Sequence, residues 1–171
     1  IGTPYCSFWM LEELYKNDMD TEALLFVREK WARMMKDTIA GTLSEGFDGG
    51  DLCHNNGAIA AYFLSSNVLG VSGKLSVDSK IIEIKPMLGD LLWAEGTVVT
   101  IHGPVKVKWV KKGNGLSFSV DIPRGTQARL SLPYDKSCKK LLINNKDVPF
   151  RVEKNNLIFT AKTNIKNGTY E

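Results

Sequence analysis

Residues 103–122 read GPVKVKWVKKGNGLSFSVDI, and this stretch decides the fold of the second half of the chain. Apolar residues alternate with polar ones on both sides of the central glycines, which is the two-residue period of a strand with one buried face. The central Gly113-Asn114-Gly115 favours the positive backbone φ angles of a tight hairpin. We therefore predict two antiparallel strands joined by a short turn.

Short strand patterns separated by turn residues continue on both sides of this hairpin. We predict further strands at 81–84, 91–100, 127–132, 140–143, 150–152 and 157–161, with the run of strands starting near Ser76. Regular short strands of this kind are typical of an antiparallel sandwich or jelly roll. The lysines of the first hairpin strand alternate with buried positions, so we interpret them as a solvated sheet face rather than a polyanion site.

The first 70 residues have helical patterns instead. Thr3 and Pro4 predict the start of a helix, because threonine caps helices and proline is tolerated at the first helical position. A second helix follows with Asp20 as its predicted cap. Residues 57–69 are apolar nearly all round and predict a third helix that Gly70 ends. Two arrangements of these helices stay open: they form a small bundle, or they are part of a larger helical array.

Composition excludes several classes of protein. The chain has 171 residues and a net charge of +3, which gives no reason to expect nucleic acid or a membrane as partner. No run reaches the roughly 18 apolar residues of a membrane span. Cys6, Cys53 and Cys138 fit neither a metal-ligand pattern nor a disulfide framework, so we predict free, buried thiols. The chain begins at Ile1 without methionine, and we expect it to be a piece of a longer protein.

The segment 41–54 is the one stretch that combines flexibility with chemically active groups. It reads GTLSEGFDGGDLCH and holds Glu45, Asp48, Asp51 and His54 between two apolar helices. Loops held by rigid helices are where binding and catalytic groups concentrate. A purely structural interpretation stays open at this point. In it Glu45 lies in solvent, Asp51 caps the following helix and His54 is a hydrogen-bonded residue of its first turn. The segment lacks the full calcium-loop pattern of an EF-hand.

The order of these features resembles the end of the bacterial α-L-rhamnosidases, glycoside hydrolase family 78. The helical segments 2–15 and 22–34 are similar to late helices of the family's catalytic barrel. Residues 42–47 (TLSEGF) are similar to its threonine-rich segment that ends in a glutamate, and residues 52–54 with 61–71 are similar to the following helix. The most specific similarity lies in 88–97 (LGDLLWAEGT) and 102–109 (HGPVKVKW), which resemble the closing β-domain.

This resemblance implies an α+β multidomain fragment. Residues 1–72 would be the last helices of an incomplete (α/α)6 catalytic barrel, and residues 73–171 a jelly-roll-like antiparallel β-sandwich. The implied partners are a rhamnose-containing oligosaccharide or glycoside and the upstream part of the same barrel, with no nucleic acid and no membrane. The isolated chain is expected to self-associate through exposed helices. The compartment stays open between bacterial cytoplasm, periplasm and secretion.

The resemblance also assigns roles to two residues. Glu45 matches the general base that deprotonates water in an inverting hydrolysis, and His54 matches a histidine that hydrogen-bonds a sugar hydroxyl. No cofactor and no metal are implied. The general acid is expected in upstream segments, so the chain alone is predicted to be inactive. Ser44 replaces an aromatic residue that is usual in the family, and Asn55 also departs from the pattern, which leaves the sugar specificity open.

Two other functions remain open. The sandwich could be a non-catalytic carbohydrate-binding or scaffold module, for which an exposed aromatic platform would be the sign. The tryptophans available there are Trp93 and Trp109, and the strand pattern predicts that both lie in the core. The parent protein could also be a barrel glycosidase with another sugar specificity.

Overall fold

The computed structural model describes residues 2–37, 41–72, 80–113, 115–136 and 138–170. The chain is an α+β protein with helices first and mostly antiparallel strands afterwards, as predicted. It divides into two compact units: unit 1 contains Ile1–Leu64 with Leu88–Asp90, and unit 2 contains Ser65–Met87 with Leu91–Glu171. The domain division predicted between residues 72 and 73 concerns the complete protein and stays a prediction, since residue 73 lies outside the described ranges.

Two long helices form most of unit 1. Helix α1 spans Pro4–Lys16, and the hydroxyl of Thr3 accepts a hydrogen bond from the Cys6 amide, which confirms the predicted cap. Helix α2 spans Asp20–Asp37. Asp20 is its first residue and not its cap: the Asp20 carboxylate accepts from the amide of Gly89, which joins a later loop to the helix. The core of the unit comes from the apolar stripes, with Leu11, Tyr15, Leu24, Val27, Trp31 and Met34 buried.

The predicted third helix is broken into three short segments. A 3₁₀ turn spans Asn55–Ala58, helix α3 spans Ile59–Phe63, and a π-helical turn spans Leu64–Val68. Gly70 follows with φ +80°, as expected of a residue that ends a helix. A Cβ atom there would lie 2.3 Å from the Lys85 carbonyl carbon, so close backbone packing also requires glycine.

The described residues of unit 2 form two sheets. The four-stranded sheet has the order β10-β11-β7-β3 and the six-stranded sheet has the order β4-β5-β6-β12-β8-β9. All pairs in both sheets are antiparallel except β3 with β7. The bounds are β3 Ile81–Ile84, β4 Trp93–Thr100, β5 Gly103–Lys112, β6 Gly115–Asp121, β7 Gln127–Pro133, β8 Leu141–Ile143, β9 Lys146–Asp147, β10 Arg151–Glu153, β11 Asn156–Ala161 and β12 Ile165–Tyr170.

The hairpin that opened the sequence analysis is present as β5 and β6, with Trp109 opposite Phe118 and Lys112 opposite Gly115. Asn114 in its predicted turn lies outside the described residues, as does the predicted strand onset at Ser76. Alternation along β5 buries Val105, Val107 and Trp109 and exposes Lys106, Lys108 and Lys112, so the lysines do form a solvated face.

The two tryptophans of this unit have opposite environments. Trp109 is 1% exposed, and its indole N–H donates a hydrogen bond of 2.9 Å to the Val68 carbonyl oxygen. Trp93, predicted to be in the core, is 61% exposed. The prediction for Trp93 is wrong because β4 is the edge strand of its sheet, and alternation does not tell which face of an edge strand is buried.

The cysteine prediction is correct in part. All three thiols are free, but only Cys138 is buried, whereas Cys6 and Cys53 are exposed. Cys53 adopts a φ of +60° in the turn that leads to the 3₁₀ segment. Among the described residues, no helix is both long and apolar enough to cross a membrane.

Candidate functional site

The segment between α2 and the 3₁₀ turn forms a small hairpin that was not predicted. Strand β1 (Ser44–Gly46) pairs antiparallel with β2 (Gly49–Leu52), joining Ser44 to Leu52 and Gly46 to Gly49. The register shifts between Ser44 and Gly46, which places Glu45 at an irregularity of the strand. Irregularities of this type redirect a side chain out of the regular pleat. The Glu45 side chain is 50% exposed.

Glycine at two hairpin positions makes this close pairing possible. A Cβ atom on Gly46 would lie 2.7 Å from the Gly49 carbonyl oxygen. Gly50 has φ +110°, and a Cβ atom there would lie 3.5 Å from the Glu45 Cβ atom and 3.9 Å from its Oε2. A side chain at position 50 would therefore be strained and would crowd the carboxylate.

Buried neighbours hold the hairpin against the helices of unit 1. Phe47 lies at the hairpin turn and packs edge-to-face on Trp31, with ring centroids 4.9 Å apart. Ser44 is buried, and its hydroxyl donates a hydrogen bond of 2.8 Å to the Gly46 carbonyl oxygen. Ser44 thus has a local structural role. Trp31 also donates through its indole N–H to the Gly57 carbonyl oxygen at 2.6 Å.

His54 lies where the hairpin ends and the 3₁₀ turn begins. Its backbone N–H donates to the Leu43 carbonyl oxygen at 3.2 Å, and its ring Nδ1 accepts from the Asn56 amide at 3.3 Å. His54 is therefore the cap of the 3₁₀ turn. Asp51 does not cap it; it lies exposed in β2. Since Nδ1 accepts a hydrogen bond, the proton of the neutral ring is on Nε2.

The structure brings the two predicted site residues together. His54 Nε2 and Glu45 Oε1 are 4.0 Å apart, and both side chains are partly accessible, the histidine at 31%. This separation is too long for a direct hydrogen bond. It does allow one oxygen atom to lie about 2.8 Å from each group, accepting from Nε2–H and donating to the carboxylate. The pair can therefore hold a single water molecule or hydroxyl group.

The neighbouring carboxylate Asp48 has a different environment. It pairs with Arg33 at 3.2 Å, and both side chains are well exposed. Exposed pairs of this kind contribute about 0–1 kcal/mol, so the contact steadies the hairpin turn only slightly. Among the described residues, no group of three or more histidine, cysteine, aspartate or glutamate side chains could hold a metal ion.

Comparisons with known proteins agree with this fold. Residues 79–142 match the model of the Bacterial alpha-L-rhamnosidase C-terminal domain. The structure of an alpha-L-rhamnosidase from Dictyoglumus thermophilum aligns with 98% of the chain at a TM-score of 0.77 and 16% identity, and the aligned part is 20% of that protein. An alpha-L-rhamnosidase from Streptomyces avermitilis, solved with L-rhamnose, aligns over 79% at a TM-score of 0.57 and 17% identity, covering 13% of its own length. No curated protein matches the sequence.

The domain match and the shared fold show what the chain is similar to, and both point to glycoside hydrolases. More narrowly, the predicted resemblance to the carboxyl-terminal part of an α-L-rhamnosidase is confirmed, with residues 79–142 carrying the domain match. The chain spans about a fifth of the length of the Dictyoglumus structure.

Proposed function

We propose that this chain is part of an inverting glycoside hydrolase that removes terminal α-L-rhamnosyl residues. The observation that carries the proposal is the pair formed by Glu45 and His54, 4.0 Å apart on a hairpin between helices. The similarity of residues 79–142 to a rhamnosidase domain supports the choice of rhamnose. The alternative, a glycosidase specific for another sugar, would differ from this proposal only in its substrate.

In this proposal Glu45 is the general base. Its half-exposed carboxylate accepts a proton from a water molecule, which then attacks the anomeric carbon and inverts it. The second carboxyl group of an inverting enzyme protonates the leaving oxygen from roughly 6.5–9.5 Å away. We propose that this acid belongs to a part of the protein outside these 171 residues, so that the chain alone is inactive.

His54 is proposed to orient the substrate. Because Asn56 occupies Nδ1, only Nε2–H can donate towards the ligand, and its direction is fixed by the cap. A sugar hydroxyl that accepts from Nε2–H lies beside the Glu45 carboxylate. The ring therefore positions the sugar and does not need to transfer a proton.

The three helices of unit 1 are proposed to be the last helices of an (α/α)6 barrel, with unit 2 as the closing β-domain. The support is the exposure of large apolar residues on these helices, which an additional layer of helices would cover. The exposed residues include Tyr5, Trp9, Leu25, Met35 and Tyr62.

The test is to replace Glu45 with glutamine in the complete protein and to assay an aryl α-L-rhamnoside. Glutamine keeps the size of the side chain but cannot accept the proton, so kcat should fall by roughly 10²–10⁴. Glu13→Gln is the matched control, because Glu13 is exposed on α1 and pairs only with Lys16 among the described ion pairs. An E45Q variant with normal turnover would refute the assignment.

One observation favours the carbohydrate-binding alternative. Trp93 is exposed on the sheet of unit 2, where an aromatic platform was the expected sign of such a module. This feature is separate from the Glu45 hairpin and does not exclude catalysis in the complete protein.

A further inference from the structure

We infer that the outer face of the six-stranded sheet, beside Trp93, is a binding site for a neutral saccharide. The inference goes beyond the proposed hydrolase function and does not rest on Glu45. It starts from strand register. On β4 the exposed residues Trp93, Glu95 and Thr97 alternate with less exposed ones, so they point to the same face of the sheet.

The pairing of strands extends this face across three strands. Glu95 lies opposite Lys108, which lies opposite Ser119, and Thr97 lies opposite Lys106, which lies opposite Asp121. The buried residues of β5 point the other way, into the core. The outer face thus carries two parallel rows of hydrogen-bonding side chains, with the Trp93 position at one end.

A shallow depression lies over these rows. A cavity of about 330 Å³ is lined by Glu95, Thr97, Lys106, Lys108, Ser119 and Asp121. That volume is at the lower end of small-ligand sites. These six of the eight lining residues have side chains that offer donors or acceptors, as a ligand covered with hydroxyl groups requires; the other two are Gly96 and Val107.

The charges of the depression favour a neutral ligand. Its two lysines are balanced by one glutamate and one aspartate, and Lys108 and Glu95 already pair at 2.8 Å. A polyanion would meet two carboxylates and a polycation would meet two ammonium groups. An uncharged sugar can accept from the ammonium groups and donate to the carboxylates without either repulsion.

Trp93 supplies the apolar part of the site. Its side chain lies two residues before Glu95 on the same face of the strand, at the i, i+2 distance of about 7 Å. Trp93 is 61% exposed, so its indole offers an apolar surface that a ligand can cover. One face of a pyranose ring presents C–H groups, and the negative face of an aromatic ring attracts them. A sugar stacked on Trp93 can continue into the polar depression.

The experiment is a calorimetric titration of the 171-residue chain with cellohexaose, mannohexaose and xylohexaose as neutral probes. Methyl α-L-rhamnoside and polygalacturonate complete the set. We expect at least one neutral hexasaccharide to bind and Trp93→Ala to weaken it by about tenfold or more. Trp9→Ala is the matched control, since Trp9 is equally exposed at 60% but lies on α1; it should leave the affinity unchanged.

Two further variants keep the test decisive. Lys106→Ala removes an exposed donor from the depression and should weaken binding even if Trp93→Ala lowers the melting temperature. Glu45→Gln should bind the neutral hexasaccharides as the unmodified chain does, which separates this site from the proposed catalytic one. The inference is overturned if no neutral hexasaccharide binds, if only polygalacturonate binds, or if Trp93→Ala binds normally. Loss of binding in the Glu45→Gln variant would overturn it too.

Discussion

At the residue scale, one ring nitrogen of His54 caps the 3₁₀ turn, and the other faces Glu45 and is proposed to bind substrate. Asparagine and alanine separate these functions. His54→Asn retains a side chain that caps well but lacks the ring, whereas His54→Ala loses both. In the complete protein we expect both variants to lower kcat/KM by about tenfold through the lost hydrogen bond to substrate. Only alanine should also lower the unfolding free energy, by about 1 kcal/mol.

This comparison is measured by rhamnoside kinetics together with urea unfolding of each variant. If His54→Asn were fully active, a substrate role for the ring would be excluded and the residue would be a cap only.

The hydroxyl of Tyr15 is buried and has no hydrogen-bond partner among the described residues. Its ring stacks on Phe63 with centroids 5.6 Å apart, so the aromatic contact does not depend on the hydroxyl. Tyr15→Phe should therefore raise the unfolding free energy by about 1 kcal/mol. Tyr170→Phe is the opposite case, since its hydroxyl donates to the Pro133 carbonyl oxygen, and it should lower stability by a similar amount. Equal effects in urea unfolding would contradict this.

Alkaline pH gives a second test of Tyr15. Burial, with a smaller contribution from the charge of Asp20, raises the pKa of Tyr15 from 10.0 to about 12. The folded state then holds the proton more tightly than the unfolded state. Ionisation of Tyr15 therefore leaves the unfolding free energy unchanged below pH 10 and lowers it as the pH rises towards 12, by up to about 1.4 kcal/mol per pH unit. Unfolding measured across this range should show the slope, and Tyr15→Phe should reduce it.

Sequence reasoning identified Glu45 and His54 but not their geometry. The glycine-rich segment and the resemblance pointed to the two residues, while their roles stay predictions. The 4.0 Å approach depends on a strand irregularity and on a cap formed by the histidine ring. Neither has a signal in residue type, since histidine is not a favoured cap and a short hairpin has no periodicity to detect.

At the scale of elements, Gly57 connects the 3₁₀ turn to the Glu45 hairpin. A Cβ atom there would lie 2.5 Å from the Leu43 Cβ atom and 3.0 Å from the Ser44 carbonyl oxygen. Neither atom is the end of a flexible side chain, so Gly57→Ala must shift the backbone. We expect a loss of about 1–3 kcal/mol in unfolding free energy. Gly2→Ala is the control, because nothing lies within 4 Å of its added carbon.

Calorimetric or urea unfolding of both variants tests this expectation. A Gly57→Ala variant as stable as Gly2→Ala would show that the turn and the hairpin can separate freely.

Strands with clear alternation were predictable and others were not. The pattern in β5 and β6 predicted their pairing, because every second residue enters the core. Strand β12 was missed, since Ile165–Tyr170 contains lysine, asparagine and glycine and its register with β6 is irregular. Its place between β6 and β8 comes from residues distant in sequence. The π-helical turn at Leu64–Val68 has no local pattern either.

At the scale of the whole molecule, the helices expose an unusual amount of apolar surface. Tyr5 and Trp9 lie one turn apart on α1, and Leu25 and Met35 are exposed on α2. We expect the chain to self-associate as its concentration rises, because contact between such faces removes apolar area from water. Sedimentation velocity over a concentration series measures this, and Trp9→Lys should favour the monomer. A monomer at all concentrations would refute the expectation.

The division of the chain into two units also determines where the chain can be truncated. Leu88–Asp90 belongs to unit 1, although the residues on both sides belong to unit 2. The Arg28 guanidinium donates two hydrogen bonds of 2.6 and 2.9 Å to the Asp90 carboxylate, and the Asp20 carboxylate accepts one from the Gly89 amide. A truncated chain that starts at Ser65 lacks Arg28 and Asp20, the partners of Asp90 and Gly89. Proteolytic cleavage after Leu64 would leave Leu88–Asp90 covalently attached to the strands of unit 2, although these three residues belong to unit 1.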